Sequence, residues 1–417
     1  MLYNVFNGFC YGSKIEIIQI NISGEDKPGM TSSLTDILAR YDAFILDIGQ
    51  ANIHQSLTLG ILFMTTSDKS GAILKELLFK ASELGVMIRF TPITEEHYQA
   101  WVGRQGKNRY IITLLGRQVT ARHIAGVTKA VAEQGLNIDA IKRLTGRMPL
   151  EEENRATRAC IELSVRGTLG DKAVLQKRFM ELSNEGVDIS FQKDDIFRRS
   201  RRLICFDMDS TLIETEVIDE LADRAGVGPR SAGRYRERHA GRDRLYREFH
   251  APHRPASGTR RFGDGGDRPQ PADHRGVGAL MTILKRVGYK TAILSGGFTY
   301  FGNFLKQKYN IDYVYANELE IENGKLTGNH VGDIVDGKRK AELLRLIAQV
   351  ENVDIRQTVA VGDGANDLPM ISIAGLGIAF HAKPKVKATA KQSISTIGLD
   401  GILYFLGYKD SYLDEQM

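Results

Sequence analysis

The chain has 417 residues, of which 42% are hydrophobic and 26% are charged, a balance typical of a folded globular protein rather than a disordered one. Its three cysteines, Cys10, Cys160 and Cys205, form no CxxC pair and no even-numbered framework, so we expect a reducing, cytoplasmic location. No apolar run in the sequence is long enough to cross a bilayer, so we expect no membrane partner.

The net charge of +5 is concentrated in one segment. Residues 229 to 279 contain 12 Arg, no Lys and 6 acidic residues, so this segment alone carries a net charge of +6 and the rest of the chain is slightly acidic. The basic character therefore belongs to one unusual segment and does not describe a surface for nucleic acid. We expect no nucleic-acid partner.

Residues 14 to 95 follow the order strand, helix, strand, strand, helix, strand. KIEIIQINI alternates like a strand, and GEDKPGM is a turn containing Pro28 and Gly29. TSSLTDILARY and SGAILKELLFKASELG have helical periodicity, and the second of these helices ends at Gly85. The pattern predicts a small α/β domain at 13–95.

The same order of elements recurs over residues 108 to 193, which predicts a second domain of this type at 107–195. From there the chain changes character, and we predict a third domain at 200–417. Its strand-like runs are LICFDMD, KTAILSGG, YVYANELEI, QTVAVGDG and GLGIAF, each followed by a helical stretch. This alternation predicts a doubly wound, mostly parallel sheet, in which ligands bind at the carboxyl ends of the strands.

Two aspartates, Asp207 and Asp209, close the first of these strands in FDMDSTL. Because side chains in a strand alternate with a period of two, both carboxylates point to the same side. Such a pair suits a nucleophile and a general acid/base, with a divalent cation offsetting their repulsion. By itself, a DxD pattern is equally consistent with surface charge or a helix cap.

Four further residues indicate phosphate and metal binding. Ser295 precedes two glycines that let a phosphate approach backbone N–H groups, although a plain strand-to-helix turn has the same pattern. Asp363 and Asp367 lie in GDGANDLPM and offer the hard oxygen ligands that suit Mg²⁺, with an ordinary Asp-Gly turn as the alternative. Lys340 can neutralise phosphoryl oxygens, and the two preceding basic residues of VDGKRK compete for that role.

In this order, DxDST, a strand-end Ser, a Lys and GDxxND resemble the four motifs of the haloacid dehalogenase superfamily. The fuller strings FDMDSTLIETEVIDELA, ILSGGFTYF and VAVGDGANDLPMI resemble its phosphoserine phosphatase family, over residues 203–228 and 280–405. The resemblance implies Mg²⁺-dependent hydrolysis of O-phospho-L-serine to L-serine and phosphate, the last step of serine biosynthesis. It also implies a helical cap over the site.

The resemblance assigns a role to each matching residue. Asp207 is the nucleophile that becomes an aspartyl phosphate, and Asp209 is the general acid/base. Mg²⁺ is held by Asp207, by Asp363 and by the backbone carbonyl of Asp209. Asp367 orients Lys340 or the metal shell. The groups expected to contact the substrate are Ser295, Gly296 and Lys340 at the phosphoryl oxygens, Asn366 along the site and Glu216 at the amino group. For Glu216, the alternative is a glutamate that caps the first helix or is simply exposed.

The two smaller domains resemble ACT domains, on the basis of the GEDKPGM turn and the repeat itself. The resemblance implies a site for serine or another amino acid. Because ACT modules commonly pair edge to edge, it also makes a homodimer an expected assembly. The expected fold is therefore two ferredoxin-like βαββαβ modules followed by a Rossmann-like phosphatase core with a helical cap insertion.

Residues 229–279 depart from the resemblance, because they contain five of the ten prolines, no Ile and no helical period. The spacing from Asp207 to Ser295 is nevertheless normal for the family. A shifted reading frame explains both facts: FHAPHR can be encoded as TTT CAC GCG CCG CAT CGC, which reads FTRRIA one base on. We interpret the segment as a cap disrupted by a frame error that closes near Arg275. A genuine basic loop is the alternative.

Two other functions stay open at this point. The protein can be a phosphatase or phosphotransferase for another small phosphomonoester, because the cap governs substrate choice. It can also be an amino-acid-binding sensor with an inactive phosphatase domain. The abnormal segment favours the sensor, whereas the intact motifs oppose it.

Overall fold

The computed structural model describes residues 14–103, 108–147, 158–215, 272–322, 325–390 and 392–413. Residues 229–271 of the predicted cap segment lie outside these residues, and Glu216 lies outside them as well. The chain divides into two compact units, Met1–Gly106 and Lys107–Met417. Within the described residues, no helix combines the length and the apolar character needed to cross a membrane.

The first unit is an antiparallel sheet packed against two helices. Its elements are β1 (Ile15–Glu25), α1 (Met30–Arg40), β2 (Phe44–Ile53), β3 (Ser56–Thr66), α2 (Ser67–Leu84), β4 (Met87–Ile93) and α3 (Glu95–Val102), with the strand order β2-β3-β1-β4. Alternate residues of β1, such as Ile20 and Ile22, are buried in one core with Leu34 of α1 and Leu77 of α2. This is the predicted βαββαβ order, to which the structure adds α3.

The second unit begins with the same arrangement. Its first elements are β5 (Arg109–Gly116), α4 (Ala121–Glu133), β6 (Asn137–Arg143), β7 (Ala159–Arg166), α5 (Lys172–Ser183), β8 (Val187–Lys193) and α6 (Ile196–Arg199), with the strand order β6-β7-β5-β8. Ile112 and Leu114 of β5 are buried with Val127 of α4 and Phe179 of α5. The sequence repeat thus corresponds to two modules of the same topology.

A third sheet of seven strands follows, in the order β12-β11-β10-β9-β13-β14-β15. Its strands are β9 (Leu203–Phe206), β10 (Lys290–Phe298), β11 (Tyr313–Glu322), β12 (Lys325–Val331), β13 (Thr358–Gly362), β14 (Leu376–Phe380) and β15 (Gln392–Ile394). Its helices are α7 (Val277–Arg286), α8 (Thr299–Tyr309), α9 (Gly337–Val350), α10 (Leu368–Ile373), α11 (Pro384–Thr389), α12 (Ile402–Phe405) and α13 (Asp410–Leu413). Neighbouring strands are parallel except β11 and β12, which form an antiparallel pair.

The central strand β9 is buried on both faces. Ile204 and Phe206 belong to the core that contains α7 and α8, whereas Leu203 and Cys205 belong to the core that contains α9 and α10. A continuous apolar strand is what a parallel sheet covered by helices on both sides requires. The α/β fold class predicted from the sequence is therefore confirmed. One element differs, because a hairpin to β12 follows β11 where a helix was expected.

Within the second unit, the ferredoxin-like module packs directly against the third sheet. Asp188 of β8 accepts hydrogen bonds from the backbone N–H groups of Ser395 and Thr396 at 2.8 and 2.9 Å, and from the Thr396 hydroxyl at 2.6 Å. Arg158 pairs with Asp400 at 2.6 Å. These contacts anchor the module to the segment between β15 and α12.

Candidate active site

Three central strands of the third sheet bring polar residues to one edge. Asp207 directly follows β9, Ser295 lies near the end of β10, and Asp363 directly follows β13. Since β9 pairs in parallel with both β10 and β13, the carboxyl ends of the three strands are adjacent. The backbone N–H of Asp207 continues the ladder by donating to the carbonyl of Val361 at 2.9 Å. The strand order thus assembles residues that are far apart in the chain.

A cluster of carboxylates lies at this edge. One oxygen from each of Asp207, Asp363 and Asp367 lies within 4.8 Å of the others. The buried hydroxyl of Thr211 donates to Asp363 Oδ1 at 3.4 Å, and Thr211 is not among the predicted site residues although it lies in the DxDST motif. An all-oxygen donor set of this kind fits Mg²⁺ better than Zn²⁺. The predicted ligands Asp207 and Asp363 are brought together, and the ligand role of the Asp209 carbonyl remains a prediction.

Lys340 is completely buried against these carboxylates. Its Nζ donates to Asp207 Oδ1 at 2.8 Å and to Asp367 Oδ1 at 2.7 Å. The competing cations point elsewhere: the side chain of Lys338 is 81% exposed, and both it and Arg339 pair with Glu342. Of the three basic residues of VDGKRK, Lys340 is therefore the one that lies against the carboxylate cluster.

The charges of the cluster keep Lys340 protonated. Burial lowers the pKa of the Lys340 ammonium, but the negative charges of Asp207 and Asp367 and the hydrogen bonds to them together raise it above its ordinary value. Burial and the charge of Asp207 raise the pKa of the Asp367 carboxyl, and Lys340 limits that rise. A permanent cation therefore lies beside the predicted nucleophile.

Asp367 is held in place from both of its oxygens. Oδ1 accepts from Lys340, and Oδ2 accepts from the backbone N–H of Gly364 at 2.9 Å. The carboxylate packs so closely over Gly362 that a Cβ at that position would lie 2.3 Å from Asp367 Cγ. The first glycine of GDGANDLPM is therefore required by the close approach of Asp367. Asp367 is a hydrogen-bond partner of Lys340, and its orienting role remains a prediction.

Ser295 is fully buried, and its Oγ accepts a hydrogen bond from the N–H of Gly297 at 2.9 Å. The half-buried Asp209 faces this segment, because a Cβ on Gly297 would lie 2.8 Å from Asp209 Oδ2. The Asp209 carboxylate thus lies beside the Ser295–Gly297 segment, and the contact of Gly296 with a phosphoryl group remains a prediction. Asn366 is exposed on the loop between Asp363 and Asp367, and its contact with substrate remains a prediction.

Comparison with known families matches three segments of the chain. Residues 16–91 and 109–192 match ACT domains, and residues 204–372 match the haloacid dehalogenase-like hydrolases. A phosphoserine phosphatase of Streptomyces coelicolor is 33% identical over 396 residues, which cover 95% of this chain and 93% of the relative. A phosphoserine phosphatase of Mycobacterium tuberculosis is 34% identical over 398 residues, covering 95% and 94%.

Solved structures agree with these matches. A probable phosphoserine phosphatase from Vibrio cholerae, in its unliganded form, is similar with a TM-score of 0.51 and 29% identity, covering 74% of this chain and 89% of that one. A haloacid dehalogenase family hydrolase from Salmonella enterica serovar Typhi has a TM-score of 0.53 and 26% identity, covering 71% and 98%. Sequence and fold therefore point to the same group of proteins.

Proposed function

This chain belongs to the phosphoserine phosphatases of the haloacid dehalogenase-like hydrolases, and we propose that it hydrolyses O-phospho-L-serine to L-serine and phosphate in serine biosynthesis. One observation carries the proposal. The buried ammonium of Lys340 bridges Asp207 and Asp367 at the strand ends where Ser295 and Asp363 also converge. A fixed cation, a carboxylate and a small hydroxyl at one point suit phosphoryl transfer, in which positioning and charge stabilisation dominate.

In the first step, a carboxylate oxygen of Asp207 attacks phosphorus and the bond from phosphorus to the seryl oxygen breaks. Asp209 gives its proton to that departing oxygen, so L-serine leaves as a neutral hydroxyl compound and Asp207 carries the phosphoryl group as an aspartyl phosphate. Lys340 and the Ser295 hydroxyl hold the phosphoryl oxygens. The proximity of Asp209 to the Ser295–Gly297 segment supports this assignment, because a general acid/base must lie within reach of the reacting phosphoryl group.

In the second step, water attacks phosphorus and the bond to Asp207 breaks. Asp209, now a carboxylate, takes a proton from that water, so the product is inorganic phosphate and both aspartates return to their starting forms. Lys340 enters the reaction charged because Asp207 and Asp367 raise its pKa, and a negatively charged phosphoryl group faces it once Asp207 is esterified. Its ammonium therefore balances negative charge on Asp207 and on the phosphoryl group in both steps.

The carboxylate cluster fits Mg²⁺ as the cofactor. Asp207 and Asp363 would hold the ion together with the backbone carbonyl of Asp209, while both oxygens of Asp367 are already engaged by Lys340 and Gly364. When bound, Mg²⁺ supplies positive charge that offsets the repulsion between the carboxylates and an incoming phosphate.

The ACT modules are proposed to bind an amino acid, with L-serine, the product, as the preferred ligand. Their family and the GEDKPGM turn support the proposal, since Gly29 adopts a φ of 85° directly before α1. That conformation favours glycine, and the helix therefore begins with no side chain above the turn. Pairing of modules into a homodimer is proposed on the same family basis.

A substrate panel tests the proposed function. Phosphate release from O-phospho-L-serine should exceed release from other small phosphomonoesters in kcat/KM. Equal rates across the panel would favour a broader phosphatase, and transfer to an added alcohol such as homoserine would favour a phosphotransferase. Serine binding without any turnover would favour an inactive sensor, to which the abnormal segment 229–279 gives some support.

A further inference from the structure

Asn317 lies beside the predicted phosphate-binding segment of β10. The parallel pairing of β10 with β11 runs to Leu294 and Tyr315 and resumes only at Phe298 and Asn317. Between these points the strand leaves the regular ladder, so its backbone groups need other partners. The Asn317 side chain, on a residue only 8% exposed, occupies this position.

The first tie of Asn317 reaches Ser295 through one peptide unit. Asn317 Nδ2 donates to the carbonyl of Gly296 at 2.7 Å. The N–H of the same peptide unit, which belongs to Gly297, donates to Ser295 Oγ at 2.9 Å. Hydrogen bonds in a chain polarise one another, so the donor on the carbonyl strengthens the N–H as a donor. Since Ser295 Oγ accepts here, its own proton is directed to another acceptor.

The second tie of Asn317 reaches the helix that carries Lys340. Asn317 Oδ1 accepts from the backbone N–H of Val335 at 2.8 Å. The next residue, Asp336, caps α9 by accepting from the N–H of Arg339 at 2.8 Å, and its carbonyl accepts from the N–H of Lys340 at 2.9 Å. One side chain therefore connects the Ser295 segment to the first turn of α9.

We propose that Asn317 is a positioning residue for phosphoryl binding. It aims the Ser295 hydroxyl and holds the start of α9 so that Ser295 and Lys340 face the same phosphoryl group. The inference rests on the proposed function, because that function places a phosphoryl group between these two residues. Removal of either hydrogen bond of Asn317 should leave the Ser295 hydroxyl and the Lys340 ammonium present but wrongly placed relative to each other.

The test is calorimetric titration of the full chain with inorganic phosphate in the presence of Mg²⁺. Asn317→Asp keeps an oxygen for the Val335 N–H but has no N–H for Gly296, and it should weaken phosphate binding about tenfold. Asn317→Ala loses both ties and should weaken it further. The matched control is Asp312→Ala, because Asp312 ties the opposite end of the same strand pair by accepting from Thr291 N–H at 2.8 Å and its hydroxyl at 3.1 Å. The control should lower thermal stability and leave phosphate affinity unchanged.

A double variant separates positioning from a general loss of structure. If Asn317 acts through Ser295, Asn317→Asp should add little to the loss caused by Ser295→Ala, so the two effects should be strongly non-additive. Additive effects, or an Asn317→Asp chain that binds phosphate like Asp312→Ala, would overturn the inference. If the variants show this coupling in phosphate binding but the unchanged chain does not hydrolyse phosphoserine, only the proposed function is contradicted. An unchanged chain that binds no phosphate would overturn both.

Discussion

Lys340 Nζ lies 2.8 Å from Oδ1 of Asp207, and the side chain of Lys340 is completely buried. A buried ammonium is stable only when its charge is balanced and its protons are bonded, and Asp207 and Asp367 do both. The pair therefore links folding to function, because the cation that steadies the carboxylates in the fold also faces the phosphoryl group in the proposed reaction.

Lys340→Met tests this link by removing the charge while keeping most of the side-chain volume. It leaves two buried carboxylates without their cation, so we expect a loss of about 3 kcal/mol or more in the free energy of unfolding. The kcat should fall by about a hundredfold or more. Denaturant unfolding and steady-state kinetics measure the two effects. Lys338→Met is the control, since Lys338 is 81% exposed and should change neither quantity. Equal behaviour of the two variants would contradict the assignment of Lys340.

Activity should require Mg²⁺ and disappear on exhaustive chelation, because Asp207 and Asp363 present only oxygen ligands. Asp363→Asn should raise the Mg²⁺ concentration for half-maximal activity by about tenfold or more. The matched control variant is Asp354→Asn, because Asp354 lies just before the opposite end of β13 and pairs with Arg356. Unchanged turnover after chelation, with added Mg²⁺ having no effect, would rule out the metal role of Asp363.

The convergence of Asp207, Ser295 and Asp363 could be predicted because parallel strands deliver their carboxyl ends to one edge. The pattern of VDGKRK alone leaves Lys338 and Lys340 open, because both lie in the first turn of one helix, and Lys340 is chosen from the family resemblance. Asn317, in contrast, was missed. An Asn inside YVYANELEI signals a polar group in an apolar strand, but its two partners lie on other elements and depend on the tertiary fold.

We expect the hydrogen bonds of Asp188, more than its negative charge, to hold the second ACT module against the catalytic domain. Burial raises the pKa of the Asp188 carboxyl, although its hydrogen bonds to Ser395 and Thr396 oppose that rise. Asp188→Ala leaves buried donors unpaired and should lower the free energy of unfolding by about 2 kcal/mol. Asp188→Asn retains an oxygen acceptor and should cost less than about 1 kcal/mol. A larger loss in the Asn variant than in the Ala variant, measured by denaturant unfolding, would contradict this account.

The frame-error hypothesis predicts a difference between two versions of the chain. As written, residues 229–279 have no apolar helical period, so we expect protease sensitivity within this segment and very weak activity on phosphoserine. A version with the shifted frame restored should recover selective hydrolysis. Limited proteolysis and kcat/KM for both versions provide the comparison. If the written chain resists cleavage there and matches the restored chain, the segment is a genuine functional element.

The central claim is that Asp207 takes the phosphoryl group from phosphoserine. The most direct test mixes the more active of the two versions with phosphoserine carrying radioactive phosphorus, stops turnover with acid, and maps the labelled peptide. We predict label on the peptide that contains Asp207, and neither label nor turnover above about one part in a hundred in Asp207→Asn, because an amide cannot act as the nucleophile. Label on another residue, or phosphate release by Asp207→Asn above about one part in a hundred of the rate of the unchanged chain, would contradict the account.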